Sequence, residues 1–363
     1  MTLRIASYNI RVDHTDDVGT VHAWPDRRPL VASSLLGLRA DLITLQEPSP
    51  HQAKHLRADL GSEWGVEVLA CDPAAWEAAG SAGPSGQVRD GNGVAWRKDR
   101  LELLQPSEAL ELPTDSGFRR TCVVSHFRDR TTELTVVVLS AHFDHHGDDE
   151  AGGPPSAKEA SAALVMERAH REREHADAVV VTGDMNTFGD RRGACYAALR
   201  AGAAGAFVDV RDAPGCVEVD AGRGGSSWQG WPSNAWSRAN VPDAPNRYDQ
   251  VFVSAGVTVL RTSVPEERFR AVAPASASAS ASASASASAS ASASASASAS
   301  GSDDDNSACR YASDHLPIVT DVRLPRGAAW RAAWRATLES RAGDALFLML
   351  LGTAAYVWRR VRT

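Results

Sequence analysis

Cysteine is scarce. The 363 residues hold five, Cys71, Cys122, Cys195, Cys216 and Cys309, odd in number, scattered, and with no Cys-x-x-Cys pair. That argues against a disulfide framework or a structural zinc site and points to a reducing interior compartment. No basic stretch followed by a long apolar segment opens the chain, because Leu3–Asn9 already reads as a strand; an intracellular, non-secreted protein is expected. The apolar run Ala345–Trp358 stops at 14 residues, short of the ~20 that cross a bilayer comfortably. An excess of positive charge is missing too: 38 basic against 45 acidic side chains leave −7, which disfavours an electrostatically driven nucleic-acid binder. What remains is an ordinary globular composition, 43% hydrophobic and 23% charged, enough for one large α/β domain or two to three smaller ones.

Two stretches depart from that composition. Residues 275–300 are thirteen Ala-Ser pairs that run on into the polar, acidic 301–306. A tract with no large side chain to bury cannot repay its ordering entropy, so 272–308 is expected to be a disordered insertion in a surface loop. The second stretch, 325–363, carries seven Arg against Glu339 and Asp344, a net +5, and leaves −12 for the rest of the chain. Its Trp330, Trp334 and Leu338 recur at i, i+4 and i+8, on one helical face. Two readings of this Arg/Trp-rich helical tail stay open: a short membrane anchor or interfacial helix, and a helix packed on the catalytic domain or a partner. The expected division is therefore a domain over 1–324 and a tail over 325–363.

Between these stretches, strand-like apolar runs recur at Leu3–Ile10, Asp41–Gln46, Val66–Ala70, Gly93–Arg97, Thr121–Phe127, Leu134–Phe143, Ala178–Thr182, Tyr248–Ser254, Val257–Leu260 and Pro317–Val322. Several are continuously apolar, as Thr135–Leu139 is, which fits a strand covered on both faces. Val31, Leu35 and Leu38 fall on one helical face, and 157–175 shows a polar helical face at Glu167, Arg171 and Glu174. Many strands with few helices predict an α/β sandwich of two packed sheets with helices outside. Asp90-Gly91-Asn92-Gly93 reads as a hairpin turn.

Polar residues stand at the tips of these runs: Asn9, Glu47, His142, Asp184 and Asn186, Asp249, and Asp314 and His315. Strand ends rising from a rigid core are where sites are built. The chemistry suits phosphate-ester hydrolysis. Glu47 and Asp314 with the amide of Asn9 are hard oxygen ligands for Mg²⁺ or Mn²⁺. Asp184 can deprotonate or orient a water, with Asn186 helping to place it. Asp249 can fix the tautomer of His315, and a histidine such as His142 can hold a phosphate oxygen or protonate the leaving group.

The pieces Ser7-Tyr8-Asn9-Ile10-Arg11, Leu45-Gln46-Glu47, Ala141-His142-Phe143-Asp144-His145, Gly183-Asp184-Met185-Asn186, Tyr248-Asp249-Gln250-Val251-Phe252-Val253 and Ser313-Asp314-His315-Leu316-Pro317 occur in the order of the endonuclease/exonuclease/phosphatase superfamily, which the chain resembles over roughly 3–324. That resemblance implies the DNase I-like fold, a four-layered α/β sandwich with two mainly antiparallel sheets face to face. It implies metal-site roles for Asn9 and Glu47, with Asp314 as a metal or supporting carboxylate. It further implies a phosphate-contacting or acid role for His142, a nucleophile-positioning pair in Asp184 and Asn186, and a partnership of Asp249 with His315.

Finer features, Trp24 with Arg27-Arg28, Arg120, His142–His145 and Trp228-Gln229-Gly230-Trp231, resemble a bacterial-type branch of hydrolases with unassigned substrates. The wording around Asp249 departs from that branch's usual Ile-Asp-Tyr-Ile-Phe. Arg120, Asp144, His145 and Trp228 are candidates for substrate contact. Core packing rivals this for Trp228, a structural role rivals it for Asp144, and surface salt bridging rivals phosphate binding for Arg119. Asp148, Asp149 and Glu150 read as a solvated loop. The expected function is a Mg²⁺-dependent phosphoesterase acting on nucleic acid, an inositol phosphate or a lipid head group. The alternatives are a catalytically inactive, membrane-tethered interaction module of the same fold and a lipid phosphodiesterase.

Overall fold

Strands that are apolar on both faces need cover on both, and the chain supplies it with two stacked sheets and helices outside them. The computed structural model describes residues 2–79, 90–146, 156–187, 193–220, 226–230, 247–265, 269–270, 309–310 and 312–325. The Ala-Ser tract, the tail beyond residue 325, Trp231 and residues 148–150 lie outside that set, together with the expectations attached to them. Among the described residues, no helix is long and apolar enough to cross a membrane.

In chain order the elements are β1 (Thr2–Asn9), α1 (Trp24–Gly37), β2 (Leu42–Gln46), α2 (Pro50–Leu60), β3 (Trp64–Ala70), α3 (Pro73–Ala79), β4 (Gly91–Arg97), β5 (Leu101–Leu103), β6 (Glu108–Leu112), β7 (Arg120–Asp129), β8 (Thr135–His142), α4 (Ala157–Arg173), β9 (Ala178–Asp184), α5 (Ala194–Ala203), β10 (Phe207–Asp209), β11 (Val217–Asp220), β12 (Asp249–Ser254), β13 (Thr258–Val264), β14 (Phe269–Arg270), β15 (Cys309–Arg310) and β16 (Ile318–Arg323). One seven-stranded sheet runs β11-β13-β16-β1-β2-β4-β3. The other runs β10-β12-β9-β8-β7-β5, with β6 also on β7, and β14 pairs β15 separately. Most neighbours are antiparallel; β1–β2, β8–β9 and β11–β13 are parallel. The expected sandwich is the observed one, with both sheets mixed.

Alternation builds the layers. Leu3, Ile5, Leu42 and Val94 of the first sheet meet Val136, Val138, Val180 and Val251 of the second in the central core. The opposite faces are covered by helices. Val31 and Leu35 of α1, with Leu56 and Leu60 of α2, cover Ala6, Tyr8, Ile43 and Leu45. Val165 and Met166 of α4, with Leu199 of α5, cover Val137, Leu139, Val179 and Val181. Each fully buried Val or Leu contributes roughly 1.5–3 kcal/mol. Helix α2, absent from the sequence expectations, carries a start signal in the chain itself. Ser49 and Gln52 form a reciprocal capping box, and Pro50 sits in the first turn.

The hairpin expected at residues 90–93 is not there: Gly91–Arg97 is strand β4, between β2 and β3. The glycines serve close approach rather than a turn. A Cβ on Gly93 would lie 2.2 Å from the Glu67 carbonyl oxygen and 2.8 Å from Val68 Cα, both backbone atoms that cannot swing away. Gly93→Ala is therefore expected to lower stability by about 3 kcal/mol. A urea-unfolding midpoint equal to wild type would refute that tight β3–β4 packing.

Candidate functional site

Along the inward faces of the central strands the same change recurs. β1 reads Leu3, Ile5, Ser7, Asn9; β8 reads Val136, Val138, Ser140, His142; β9 reads Val180, Thr182, Asp184; and β12, in reverse, reads Val253, Val251, Asp249. A period of two keeps each set on one face, so the core between the sheets turns polar where the strands end. Register then joins the ends: Asp184 pairs His142 on one side and Asp249 on the other.

The side chains meet around one oxygen. Asn9 Nδ2 donates to Asp184 Oδ2 at 3.0 Å and to Glu47 Oε1 at 2.9 Å. His315 Nε2 approaches Asp184 Oδ2 at 3.6 Å and His142 Nε2 approaches it at 3.7 Å. His142 Nε2 is also 3.9 Å from Glu47 Oε1. Asp249 Oδ2 pairs with His315 Nδ1 at 3.0 Å. The Asn186 N–H donates to Asp184 Oδ1 at 2.9 Å, and Asn186 Nδ2 donates to the Phe143 carbonyl at 3.0 Å. Glu47 at φ 70° and Asn186 at φ 47° are both left-handed, an uncommon conformation for non-glycine residues that persists where surroundings impose it.

Charges in this pocket are strongly biased. Burial opposes ionisation of Glu47, but the His142 ring, the hydrogen bonds from Asn9 and the Val12 N–H, and Arg120 outweigh it and hold the carboxyl at about 2. Burial, with Arg120 beside it, lowers His142 to about 4. His142 is then neutral near neutral pH, and the two hydrogen bonds and Arg120 are what keep Glu47 ionised. Burial also works against a charged His315, yet Asp184 and Asp249 prevail and raise it to about 10. The two histidines therefore differ: one is a neutral ring, the other an imidazolium between two carboxylates.

The remaining expected residues take varied places. Asp314 Oδ2 pairs with Arg11 Nη1 at 3.0 Å, and Arg11 Nε reaches Asp17 Oδ2 at 2.9 Å. The Ser313 hydroxyl ties this loop to the Asn9 carbonyl at 2.7 Å. Arg120 lies buried at the start of β7. Its Nη1 bonds Asp90 Oδ2 at 2.6 Å and lies 3.5 Å from His142 Nδ1, while Nη2 is 3.4 Å from His145 Nδ1. The His145 side chain is 34% exposed. Asp144 is wholly buried and both its oxygens are taken by backbone N–H groups, those of Asp115, Ser116 and His146. It shapes the 115–116 loop. Trp228 is nearly buried, stacked on Tyr248 at 5.4 Å, and its backbone bridges to His315. Arg119 is an exposed partner of Glu111 at 3.0 Å.

Two residues of the site escaped the sequence reading. Asp90 was assigned to a turn, yet it is buried against Arg120, with His142 Nδ1 at 4.0 Å; burial raises its carboxyl to about 6 against the pull of Arg120. Arg11 sits inside the quoted Ser7–Arg11 piece, and its place two residues past Asn9 was the available signal.

The donor set suits a hard divalent cation. Four carboxylates, Glu47, Asp184, Asp249 and Asp314, gather at this end of the core, and buried Asp249 Oδ1 has no hydrogen-bond partner among the described residues. Asp184, Asp249 and His315 each bring one ligand atom within 4.8 Å of the others. As arranged, however, His315 is protonated and bonded to Asp249, so a cation bound there would have to displace its Nε2 proton. Asn9 presents its nitrogen to Glu47, and its Oδ1 accepts from the Arg11 N–H at 2.9 Å.

A family model described as the Endonuclease/Exonuclease/phosphatase family matches residues 6–315. No match to the chain was found among curated proteins. Among solved structures, the chain is similar to the mannosyl-6-phosphatase of Bacteroides thetaiotaomicron, with a TM-score of 0.63 and 20% identity over 89% of this chain and 100% of that one. It is similar to D. rerio TDP2 complexed with single strand DNA product, with a TM-score of 0.53 and 17% identity over 89% of this chain and 99% of that one. It is also similar to the human Nocturnin catalytic domain with bound sulfate, at 0.51 and 13% over 89% and 94%. At these identities the likeness is one of fold.

Proposed function

Since this chain belongs to the endonuclease/exonuclease/phosphatase family, whose members are phosphoesterases, we propose that it is a divalent-metal-dependent enzyme that cleaves a phosphodiester or phosphomonoester by in-line attack of a water positioned by Asp184. One observation carries the reading: Asn9, His142 and His315 all converge on the single oxygen Oδ2 of Asp184, with Glu47 bridged to it through Asn9.

Asn186 holds Asp184 Oδ1 through its N–H, which leaves Oδ2 as the oxygen that takes the proton of the attacking water. Asp249 anchors His315 so that its Nε2–H points to where a phosphoryl oxygen would rest beside Asp184. His142, held next to Glu47 and oriented by Arg120 and Asp90, contacts a second phosphoryl oxygen or the leaving group. His145, at the exposed end of the Arg120 contact, meets the organic part of the substrate. Mg²⁺ or Mn²⁺, held by Glu47 with Asn9 and Asp314, would offset the charge that develops on the phosphoryl oxygens.

The substrate is a phosphate ester. A panel of oligonucleotides, inositol phosphates, a hexose 6-phosphate and sphingomyelin, each with and without EDTA, distinguishes the classes and includes the lipid phosphodiesterase alternative. Chelation is expected to lower turnover by at least about 10²-fold, restored by added Mg²⁺ or Mn²⁺. Turnover untouched by EDTA would overturn the metal dependence, and no turnover with any member of the panel would overturn the hydrolase and leave the inactive interaction module.

A further inference from the structure

Lys158, one of three lysines in the chain, is 0% exposed. It sits in the first turn of α4, one residue into a helix whose start is capped by Ser156 and Glu159. The position is unfavourable twice over. The N-terminal end of a helix carries partial positive charge and repels a cation, and burial strips an ammonium of its water. Lys158 Nζ donates to the backbone carbonyl of Asn186 at 3.2 Å.

That carbonyl belongs to a residue under conformational constraint. Asn186 is left-handed at φ 47°. Its N–H is fixed on Asp184 Oδ1 and its side-chain nitrogen on the Phe143 carbonyl. With Lys158 on its carbonyl oxygen, the residue is pinned at three points. The base of the third contact is rigid, because α4 packs its apolar face on β8 and β9, and the Ala157 N–H is itself fixed on Asp115 Oδ2 at 2.9 Å.

We propose that Lys158 is a positioning residue for hydrolysis: its buried ammonium holds the Asn186 carbonyl and thereby keeps Asn186 in the left-handed conformation that sets it beside Asp184. The proposal rests on Asp184 and Asn186 being the pair that orients the attacking water.

The test uses the full chain, with Mn²⁺ and bis(p-nitrophenyl) phosphate as the probe. Lys158→Met keeps the volume and removes the donor and the charge. It is expected to lower kcat about 30-fold with KM within about two-fold, as for a displaced positioning group. Its melting temperature should change little, because relief from burying an ammonium offsets the donor lost from the Asn186 carbonyl. A lower melting temperature with kcat per folded molecule unchanged would mean a purely structural residue and overturn the proposal. In an Asn186→Ala background, Lys158→Met is expected to add no further loss; two losses that multiply would show that Lys158 does not act through Asn186. If Asn186→Ala alone keeps wild-type kcat, the pair assignment itself falls, and this proposal with it.

Amide hydrogen exchange needs no turnover: residues 185–187 of Lys158→Met should exchange about tenfold faster than in wild type, with β9 itself unchanged. Unchanged protection there overturns the proposal. Lys158→Leu, which likewise has neither donor nor charge, replaces Lys158→Met in every measurement if that variant does not fold.

Discussion

Asp184→Asn is expected to lower kcat by about 10³-fold on any phosphate ester the wild-type protein cleaves, with an unchanged far-ultraviolet circular dichroism spectrum. The substitution keeps the shape of the side chain. Asn9 Nδ2 and the Asn186 N–H bond different oxygens of Asp184, so the amide oxygen keeps one of the two hydrogen bonds and its NH2 faces the other donor. What it removes is the charge. Without that charge no base of suitable strength stands where the water must lose its proton, and His315 keeps only Asp249 as a counter-ion. The loss should therefore appear in kcat rather than in folding, and saturating metal should not repair it. Equal initial rates for wild type and Asp184→Asn would remove Asp184 from the reaction.

The second large effect is on stability. Arg27→Met is expected to cost about 4 kcal/mol in equilibrium urea unfolding. Arg27 is 0% exposed. Its guanidinium donates to backbone carbonyls: Nε to His22 at 2.6 Å, Nη1 to Ile10 at 2.8 Å and Ala312 at 3.0 Å, and Nη2 to Arg11 at 3.1 Å and Val12 at 3.3 Å. Each such bond contributes on the order of 1 kcal/mol, and each buried acceptor left alone costs about as much or more. Relief from burying a cation, which lowers the Arg27 pKa, offsets part of that loss. Arg27→Lys should be almost as damaging, because one ammonium cannot span the fork of five acceptors. The carbonyls belong to the loop after β1 and to the segment before β16, which carry Arg11 and Asp314, so turnover should fall together with stability. An unfolding free energy within about 1 kcal/mol of wild type would mean that these carbonyls find other partners.

Much of the fold was legible because sheet formation reports itself locally. Continuously apolar runs such as Val136–Leu139 marked strands covered on both faces, and the runs beginning at Leu3, Ala178 and Pro317 matched strands to within a few residues. Short or polar strands gave no such signal: Glu108–Leu112, largely exposed on its flanking β7, and Val217–Asp220, on a sheet edge, went unread. Helix α2 went unread because its capping box is only four residues of pattern. At the site, the polar residues that end apolar strands were readable one by one. Asp90 was not, since the glycines beside it mimic a turn when they in fact let β3 and β4 approach. For Asp144 and Trp228 substrate contact and a structural role both stood open from the sequence; their surroundings are a loop backbone and the ring of Tyr248.

The sequence by itself determined which long apolar runs form the central strands, and that these runs end in a carboxylate, an amide or an imidazole. These follow from a period of two and from local solvation, which any short stretch carries within itself. Only the tertiary structure decided the partnerships: Asn9 between Glu47 and Asp184, Asp90 on Arg120, Arg27 across the carbonyls of two distant loops, and Lys158 behind Asn186. Each joins residues set side by side by sheet register and helix packing, not by any spacing along the chain, and it is the partner that decides whether a buried group is charged, neutral or held in place.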